Sequence, residues 1–284
     1  MPLSEVLGIN RRNIEYVLAL NPRKYFSRVD DKLETKSILN AHGIPSATLL
    51  GSTDSFFGIA PFLDRLAETR SFVLKPGRGS GGSGIVVVRE CLQGRWKLTD
   101  GTTWDREEQQ DHVENILYGT FSLDSAGDTA FAEELIECHP DLSVYSGFGL
   151  PDVRIILLQG RPVLSMLRAP TRQSRGKANL HAGGFAVAID LDSGLTGEGW
   201  HHGGRIGSHP ETGEALGGKF IPHWRRLLEI SRELFTLFPL GYMGVDFALD
   251  VRKGPLILEL NARPGLEIQN VTGTGLRPRL EGRA

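Results

Sequence analysis

The chain has 284 residues, 40% hydrophobic and 23% charged, enough apolar material for one large domain or two to three small lobes. Lys and Arg number 32 against 34 Asp and Glu, and a net charge of -2 gives no global field toward nucleic acid or an anionic membrane, so any phosphate binding must be local. Cys91 and Cys138 form neither a Cys-x-x-Cys site nor a disulfide framework, and with no signal-type N-terminus and no apolar run of ~20 residues a cytoplasmic protein is expected.

In chain order, residues 4–20 carry Val6, Leu7, Ile14, Val17, Leu18 and Leu20 at a partly helical spacing that stops before Pro22. Asp30 is placed to cap a helix in DDKLETKSILNAHG, with Leu33, Ile38 and Leu39 as its apolar stripe and Gly43 as its stop, before IPSATLL takes on strand character. A third helix is expected at about 55–68. FVLK and GIVVV read as strands on either side of PGRGSGGS, and RWKLT follows as another after a turn at Gln93-Gly94. Residues 105–118 read as a weak helix, and GTFSLDSAGDT as a loop dividing two lobes. The strands TAFAEELIE, DVRIILLQ, RPVLSMLRA and GGFAVAID come next, then a helix at IPHWRRLLEISRELFTLF and the strands GYMGVDFALD and PLILELN. Helices mixed with antiparallel-looking strands give an α+β fold class.

The stretch SFVLKPGRGSGGSGIVVV, residues 71–88, places a lysine before a glycine-rich run. A Walker-type loop ends in Gly-Lys-Ser/Thr and enters a helix, and a dinucleotide fingerprint also needs a helix after its glycines. Here the glycines run into a β-branched strand, which excludes both. Two readings stay open on this stretch alone. One is a flap whose backbone N–H groups approach phosphate oxygens while Lys75 adds charge; the other is a plain surface turn.

A second constellation lies in GYMGVDFALDVRKGPLILELNARPG, residues 241–265. With a two-residue turn at Lys253-Gly254, Asp246 faces Asn261 and Ala248 faces Glu259, so Asp246, Glu259 and Asn261 share one face of a hairpin. Three hard oxygen ligands then lie within reach of one or two Mg2+ ions, whereas a three-residue turn would send Asp246 to the other face. Leu256, Ile257, Leu258 and Leu260 surround the polar residues, where an unpaired carboxylate is costly, and this favours a metal site over ordinary strand-end polarity.

From about Gly8 to Gly275 the ordered motifs resemble the ATP-grasp carboxylate-amine ligases, and within them the α-L-glutamate ligase-related, RimK-like proteins. The resemblance implies an ATP-grasp fold: a short helical N-terminal segment (1–44), then two α+β lobes, 45–132 with the glycine flap and 133–284 with the metal site, holding ATP between them. By position, Lys32 in VDDKLETK and Lys75 look like the family's two phosphate-holding lysines, with Gly79, Ser80, Gly81 and Gly82 as the flap. Glu133, Glu134, Leu135 and Ile136 resemble the hinge that contacts adenine and ribose, although glutamine is more usual than Glu133. DVRIIL resembles the Asp-x-Arg strand, which implies Asp152 near the nucleotide and Arg154 near the transferring phosphate. RGKANLHAGG is similar to the segment that brings a basic residue and an asparagine to the ATP and metal site, here Lys177 and Asn179. The acidic strand pair with Asn-x-x-Pro-Gly matches Asp246, Glu259 and Asn261 as magnesium ligands. The chain departs from the pattern in a shortened N-terminal substrate region and in Arg263, where a small residue is common.

The function this resemblance implies is an ATP- and Mg2+-dependent ligase forming an amide through an acyl phosphate, adding glutamate or another amino acid to an acceptor. ATP and one or two Mg2+ ions, with Mn2+ as a substitute, are the implied cofactors. The implied partners are a small-molecule or peptide carboxylate and an amine or amino acid, without nucleic acid or membrane insertion and with homo-oligomerisation open. An ATP-binding regulatory module without turnover and a phosphotransferase stopping at a phosphorylated product stay open as alternatives. Phosphoryl transfer is mostly positioning and charge neutralisation, so Arg154 is assigned to the developing charge and Arg168, in RAPTRQSRGK, to an acidic substrate. His181 is given no catalytic role, HHGGRIGSH reads as a mobile loop without zinc-ligand spacing, and Trp200 and Trp224 read as packing residues. Asp246→Ala or Glu259→Ala is expected to abolish metal-dependent turnover in a protein that stays folded.

Overall fold

The β-branched and aromatic runs between residues 47 and 136 pair as a six-stranded sheet in a computed structural model that describes residues 1–79, 81–122 and 127–282. Ser80 of the expected flap, and residues 123–126 of the loop GTFSLDSAGDT, lie outside the described residues. The strands are β1 (Leu49–Thr53), β2 (Phe72–Pro76), β3 (Val86–Leu92), β4 (Arg95–Leu98), β5 (Thr103–Trp104) and β6 (Ala130–Glu134). They lie in the order β1-β6-β2-β3-β4-β5, every pair antiparallel. Gln93 and Gly94 both take positive φ, 52° and 76°, which makes the β3–β4 connection the tight two-residue turn that matches strand twist.

Helices Ile59–Ala67 and Arg106–Leu117 lay apolar faces on this sheet, and Phe62, Leu63, Leu66, Val113 and Ile116 join Phe72, Leu74, Val88 and Trp96 in one core. The second helix has few apolar residues but a strong start. The Asp105 side chain accepts from the Glu107 and Glu108 amides, and Glu108 reaches back to the Asp105 amide. These elements, with Asp31–Leu33, make up the smaller of two units, Ala47–Ile136.

The larger unit comprises Met1–Asp30, Glu34–Ser46 and Glu137–Ala284. Its strands are β7 (Asp152–Leu158), β8 (Arg161–Ala169), β9 (Phe185–Ile189), β10 (Thr196–His201), β11 (Gly204–Ile206), β12 (Tyr242–Asp250) and β13 (Gly254–Asn261). They form an antiparallel sheet in the order β11-β10-β9-β8-β7-β12-β13. Alternation sends Val153, Ile155, Val245 and Phe247 to one face, under Leu227, Ile230 and Leu234 of the helix Trp224–Leu237. Ile156, Met166 and Tyr242 go to the other face, covered by Leu7, Tyr16 and Val17 and by Ile268, Val271, Leu276 and Leu280.

Several local expectations need correction. The N-terminal helix is broken into a 3-10 turn Leu3–Glu5, a helical turn Ile9–Arg11 and a π-helical stretch Arg12–Leu18. The helix Lys32–Ala41 is opened by Asp31, whose Oδ1 accepts from the Leu33 amide at 2.9 Å, while Asp30 ends the short helix Ser27–Asp30. HHGGRIGSH is not a loop throughout: His202 and Gly203 take φ of 47° and 80° and turn β10 into β11. Helices Ile268–Thr272 and Leu276–Leu280 are five residues each, too short for periodicity to reveal them in the sequence. No helix among the described residues is long and apolar enough to cross a membrane.

Candidate functional site

The acidic hairpin reaches the expected face by a different route. Asp250 pairs with Gly254, so Val251, Arg252 and Lys253 form a three-residue turn instead of the expected two-residue one. That turn alone would put Asp246 and Glu259 on opposite faces. A bulge at Leu258 adds one residue to β13 and restores the parity: Phe247 pairs with Ile257, Asp246 with Glu259 and Gly244 with Asn261. The expected pairings of Asp246 with Asn261 and Ala248 with Glu259 are therefore replaced, yet all three oxygen-bearing side chains still share a face.

The neighbouring strands complete a charged row on that face. Register places Arg154 of β7 opposite Asp246 and Arg168 of β8 opposite Asp152. Arg154 donates from Nε and Nη2 to the two Asp246 oxygens at 2.7 and 2.6 Å, a bidentate fork between buried side chains. Arg168 makes a second fork, to Asp152 at 2.7 and 2.8 Å, and its Nη2 also donates to Asp246 Oδ2 at 2.8 Å. Burial alone would raise the Asp246 pKa, but Arg154 and Arg168 together hold it below the usual carboxylate range. Burial pushes Asp152 up to about 6, against the pull of Arg168. Burial also works against the charge of Arg168, but Asp152 and Asp246 more than offset it and raise its pKa. The two partners of one ion pair thus shift in seemingly conflicting senses. The fork geometry favours the ionised pair; the rise at Asp152 comes first from burial, and the nearby Asp246 carboxylate adds to it.

Asp246 and Glu259 stand directly opposite one another, and Arg154 and Arg168 offset the repulsion between them. With the amide of Asn261, whose Nδ2 donates to Asp246 Oδ2 at 3.3 Å, they form a hard-oxygen donor set of the kind Mg2+ prefers. Among the described residues no three His, Cys, Asp or Glu side chains gather as a metal set; this face offers two carboxylates and one amide.

Lys177 and Asn179 lie on the loop after β8. Asn179 caps the turn Leu180–Ala182 by accepting from the His181 amide at 2.9 Å. Two residues without a sequence signal brace the segment after β13. Arg12 donates to the Pro264 and Arg263 carbonyls at 2.8 and 3.3 Å, and Asn21 donates to the Tyr242 and Ala262 carbonyls at 2.7 and 3.1 Å. Arg263 itself stacks on Phe26, 4.6 Å from the ring centroid.

In the smaller unit, Val73 pairs with Glu133 across β2 and β6, so Lys75, two residues on and on the same face, reaches the Glu133 carboxylate and forms a largely buried ion pair. Lys32 Nζ donates to the Gly79 carbonyl at 2.5 Å. Glu134 ends β6 with its amide donating to Thr48 O at 2.9 Å, and Leu135 and Ile136 follow half-buried. The glycine segment is clamped at both roots by residues that carry no motif. Asp128 accepts from the Arg78 amide at 3.0 and 3.1 Å, from Ser122 Oγ at 2.5 Å and from the Thr129 amide at 2.7 Å. At the far root His112 Nε2–H donates to the Gly84 carbonyl at 2.9 Å. Gly84 has φ of 72° and lies over Phe121, where a Cβ would come within 2.6 Å of the ring, so only glycine fits. Gly81 and Gly82 lie in the turn between these clamps. The expected site residues thus fall into two groups, the lysines, flap and hinge in one unit and the arginine–carboxylate row with its loop in the other.

Several solved structures are similar to this chain in fold. A biotin carboxylase from Campylobacter jejuni, in a complex with ATP, is 14% identical, with 90% of this chain and 46% of that chain covered at a TM-score of 0.54. The D-cycloserine synthetase DcsG is 13% identical, with 92% and 71% covered at 0.51. The ATP-grasp ligase PsnB, complexed with a minimal precursor, is 14% identical, with 93% and 64% covered at 0.50, so the chain spans less than two thirds of that ligase's length. At such identities the likeness is one of fold. The sequence matches none of the curated proteins. Residues 11–282, nearly the whole chain and all of the charged row, match the model of one family, and on that match together with its fold the protein belongs to the sugar-transfer associated ATP-grasp family.

Proposed function

We propose that the protein is an ATP- and Mg2+-dependent ligase that joins a carboxylate to an amine through an acyl phosphate, in the manner of the glutamate ligase-related proteins its motifs resemble. The observation that carries this reading is the row Arg154, Asp246, Glu259 with Arg168 and Asp152 beside it, a concentration of buried charge that packing does not require. Lys32 and Lys75 hold phosphate oxygens, the backbone of Gly79, Gly81 and Gly82 covers them, and Glu133 to Ile136 receive adenine and ribose. Asp152, Lys177 and Asn179 also serve the nucleotide. Asp246, Glu259 and Asn261 would hold Mg2+, which when bound would neutralise charge on the phosphate oxygens. Asp246 engages Nε and Nη2 of Arg154, which leaves the Nη1 edge for the charge that develops as the carboxylate attacks the γ-phosphate and ADP departs. Arg168 orients the acid. The amine then displaces phosphate to give the amide. The family's description as sugar-transfer associated adds amino sugars to amino acids as acceptors to try. Both cysteines are free thiols, which supports a reducing cytosol as the compartment.

The test is incubation with Mg-ATP and a panel of carboxylates, with and without hydroxylamine, following ADP and hydroxamate. Hydroxamate that depends on Mg2+, and that falls about 10²- to 10³-fold in Glu259→Gln, is the expected result. ADP without hydroxamate would identify a phosphotransferase, and nucleotide binding without turnover on any carboxylate a regulatory module.

A further inference from the structure

A hollow of about 320 Å³ opens in the larger unit among the turn Leu180–Ala182, the β10–β11 hairpin and the residues around the helix Ile268–Thr272. Trp200, His201 and His202 line it from the hairpin, His181 from the turn, and Glu267 and Asn270 from the helix. These segments continue directly from Asn179 and from the chain that leaves Asn261.

Three properties define what the hollow can hold. Among its described lining residues the formal charge is negative: Glu267 lines it and no Lys or Arg does, while burial and the neighbouring His202 keep the His201 pKa below its ordinary value. The carboxylate is fixed in place, because Asn270 Nδ2 donates to Glu267 Oε2 at 3.0 Å. The imidazole of His202 is similarly held by Gln173 Oε1 at 3.1 Å, and that of His201 by the Gly183 carbonyl at 3.3 Å. Against this polar rim stands one flat apolar surface. Trp200 is half-buried against the core under the terminal helices and also lines the hollow. Glu267 Oε1, the His181 imidazole and Trp200 Nε1 have no protein partner among the described residues, so a ligand that displaces solvent can bond them.

A ligase needs two substrates of opposite character. The acid belongs beside guanidinium groups, and a second carboxylate brought against Glu267 would be repelled. An ammonium is attracted by Glu267 and by the face of an indole. A ring with one C–H face and hydroxyls around its edge matches a tryptophan bordered by imidazoles and an amide. We propose that this hollow binds the amine co-substrate, a primary amine borne on a hydroxylated ring, with its ammonium against Glu267 and its apolar face on Trp200. The assignment as co-substrate rests on the ligase reading; the charge and shape of the hollow do not.

The experiment uses three rings of one size and different charge. Glucosamine, glucose and glucuronate are titrated into the full chain at pH 7 by calorimetry, with Mg-ADP titrated in parallel. Glucosamine is expected to bind saturably, about tenfold tighter than glucose, with glucuronate weakest. Glu267→Gln, which preserves the contact with Asn270, should bring glucosamine down to the level of glucose. Trp200→Phe, which keeps most of the packing, should weaken both. The proposal is overturned if glucosamine shows no saturable binding up to about 50 mM, if glucuronate binds as tightly as glucosamine, or if Glu267→Gln binds unchanged. A chain that binds glucosamine in the expected order but never binds Mg-ADP overturns the ligase reading and the co-substrate role, while establishing the amine site.

Discussion

Asp246 has two duties that pull against each other. It is the counter-ion of Arg154 and Arg168, all three being largely buried, and it is also the first ligand of the candidate magnesium set. Removing it strands two guanidinium groups in a place where neither can be solvated. Asp246→Ala is therefore expected to lose about 3–5 kcal/mol of stability in urea unfolding, because breaking a buried pair leaves uncompensated charge. A loss below about 1 kcal/mol would show that water reaches the guanidinium groups. With that much stability at stake in Asp246→Ala, Glu259→Gln is the cleaner probe of turnover. The residue types of the row were legible in sequence, since acids and arginines stand out among Leu, Ile and Val. Their pairing was not. Arg154 and Asp246 lie 92 positions apart, and no local pattern tells a phosphate-binding arginine from one already engaged by a carboxylate.

At the scale of elements, the glycine flap is a short segment held at two roots. His112 holds the second root through Gly84 and is packed between Trp104 and Phe121. Burial lowers its pKa, so the folded chain keeps the ring neutral while the unfolded chain takes up a proton as pH falls below about 6.5. The stability it contributes is thus fully present above that pH and is lost as pH falls through it toward the lower folded value. Thermal unfolding from pH 7 to pH 5 should show wild type losing more stability than His112→Gln, so that the gap between them narrows in acid. Parallel curves would refute the assignment. Strands with strong alternation and helices with clear caps were legible from sequence. The β10–β11 hairpin was not, because glycine and exposed polar residues erase the period of two, and neither was the bulge at Leu258, which no residue type marks.

For the molecule as a whole, each unit has its own core. Leu66 is fully buried in the core of the smaller one, among Ile59, Phe62, Leu63 and Trp96. Leu66→Ala should cost about 2–5 kcal/mol, the sum of lost burial and the cavity left behind. Hydrogen exchange should then quicken across Ala47–Ile136 and not across Glu137–Ala284. Faster exchange spread evenly over both would mean that the two unfold together. The fold class followed from the mixture of helices with antiparallel strands. The second core of the larger unit, made by chain from both termini, was hidden because its helical pieces are too short to show a pattern.

The turn at Val251–Lys253 and the bulge at Leu258 each add one residue, and together they cancel. Length at this hairpin can therefore drift in the lineage only in steps of two, or through one change that compensates another. A one-residue shift in the pairing of β12 with β13 would send Asp246 and Glu259 to opposite faces, whereas a two-residue shift would keep them on one. Sequence alignments of this segment should show gaps that come in pairs, one at the turn and one beside the glutamate.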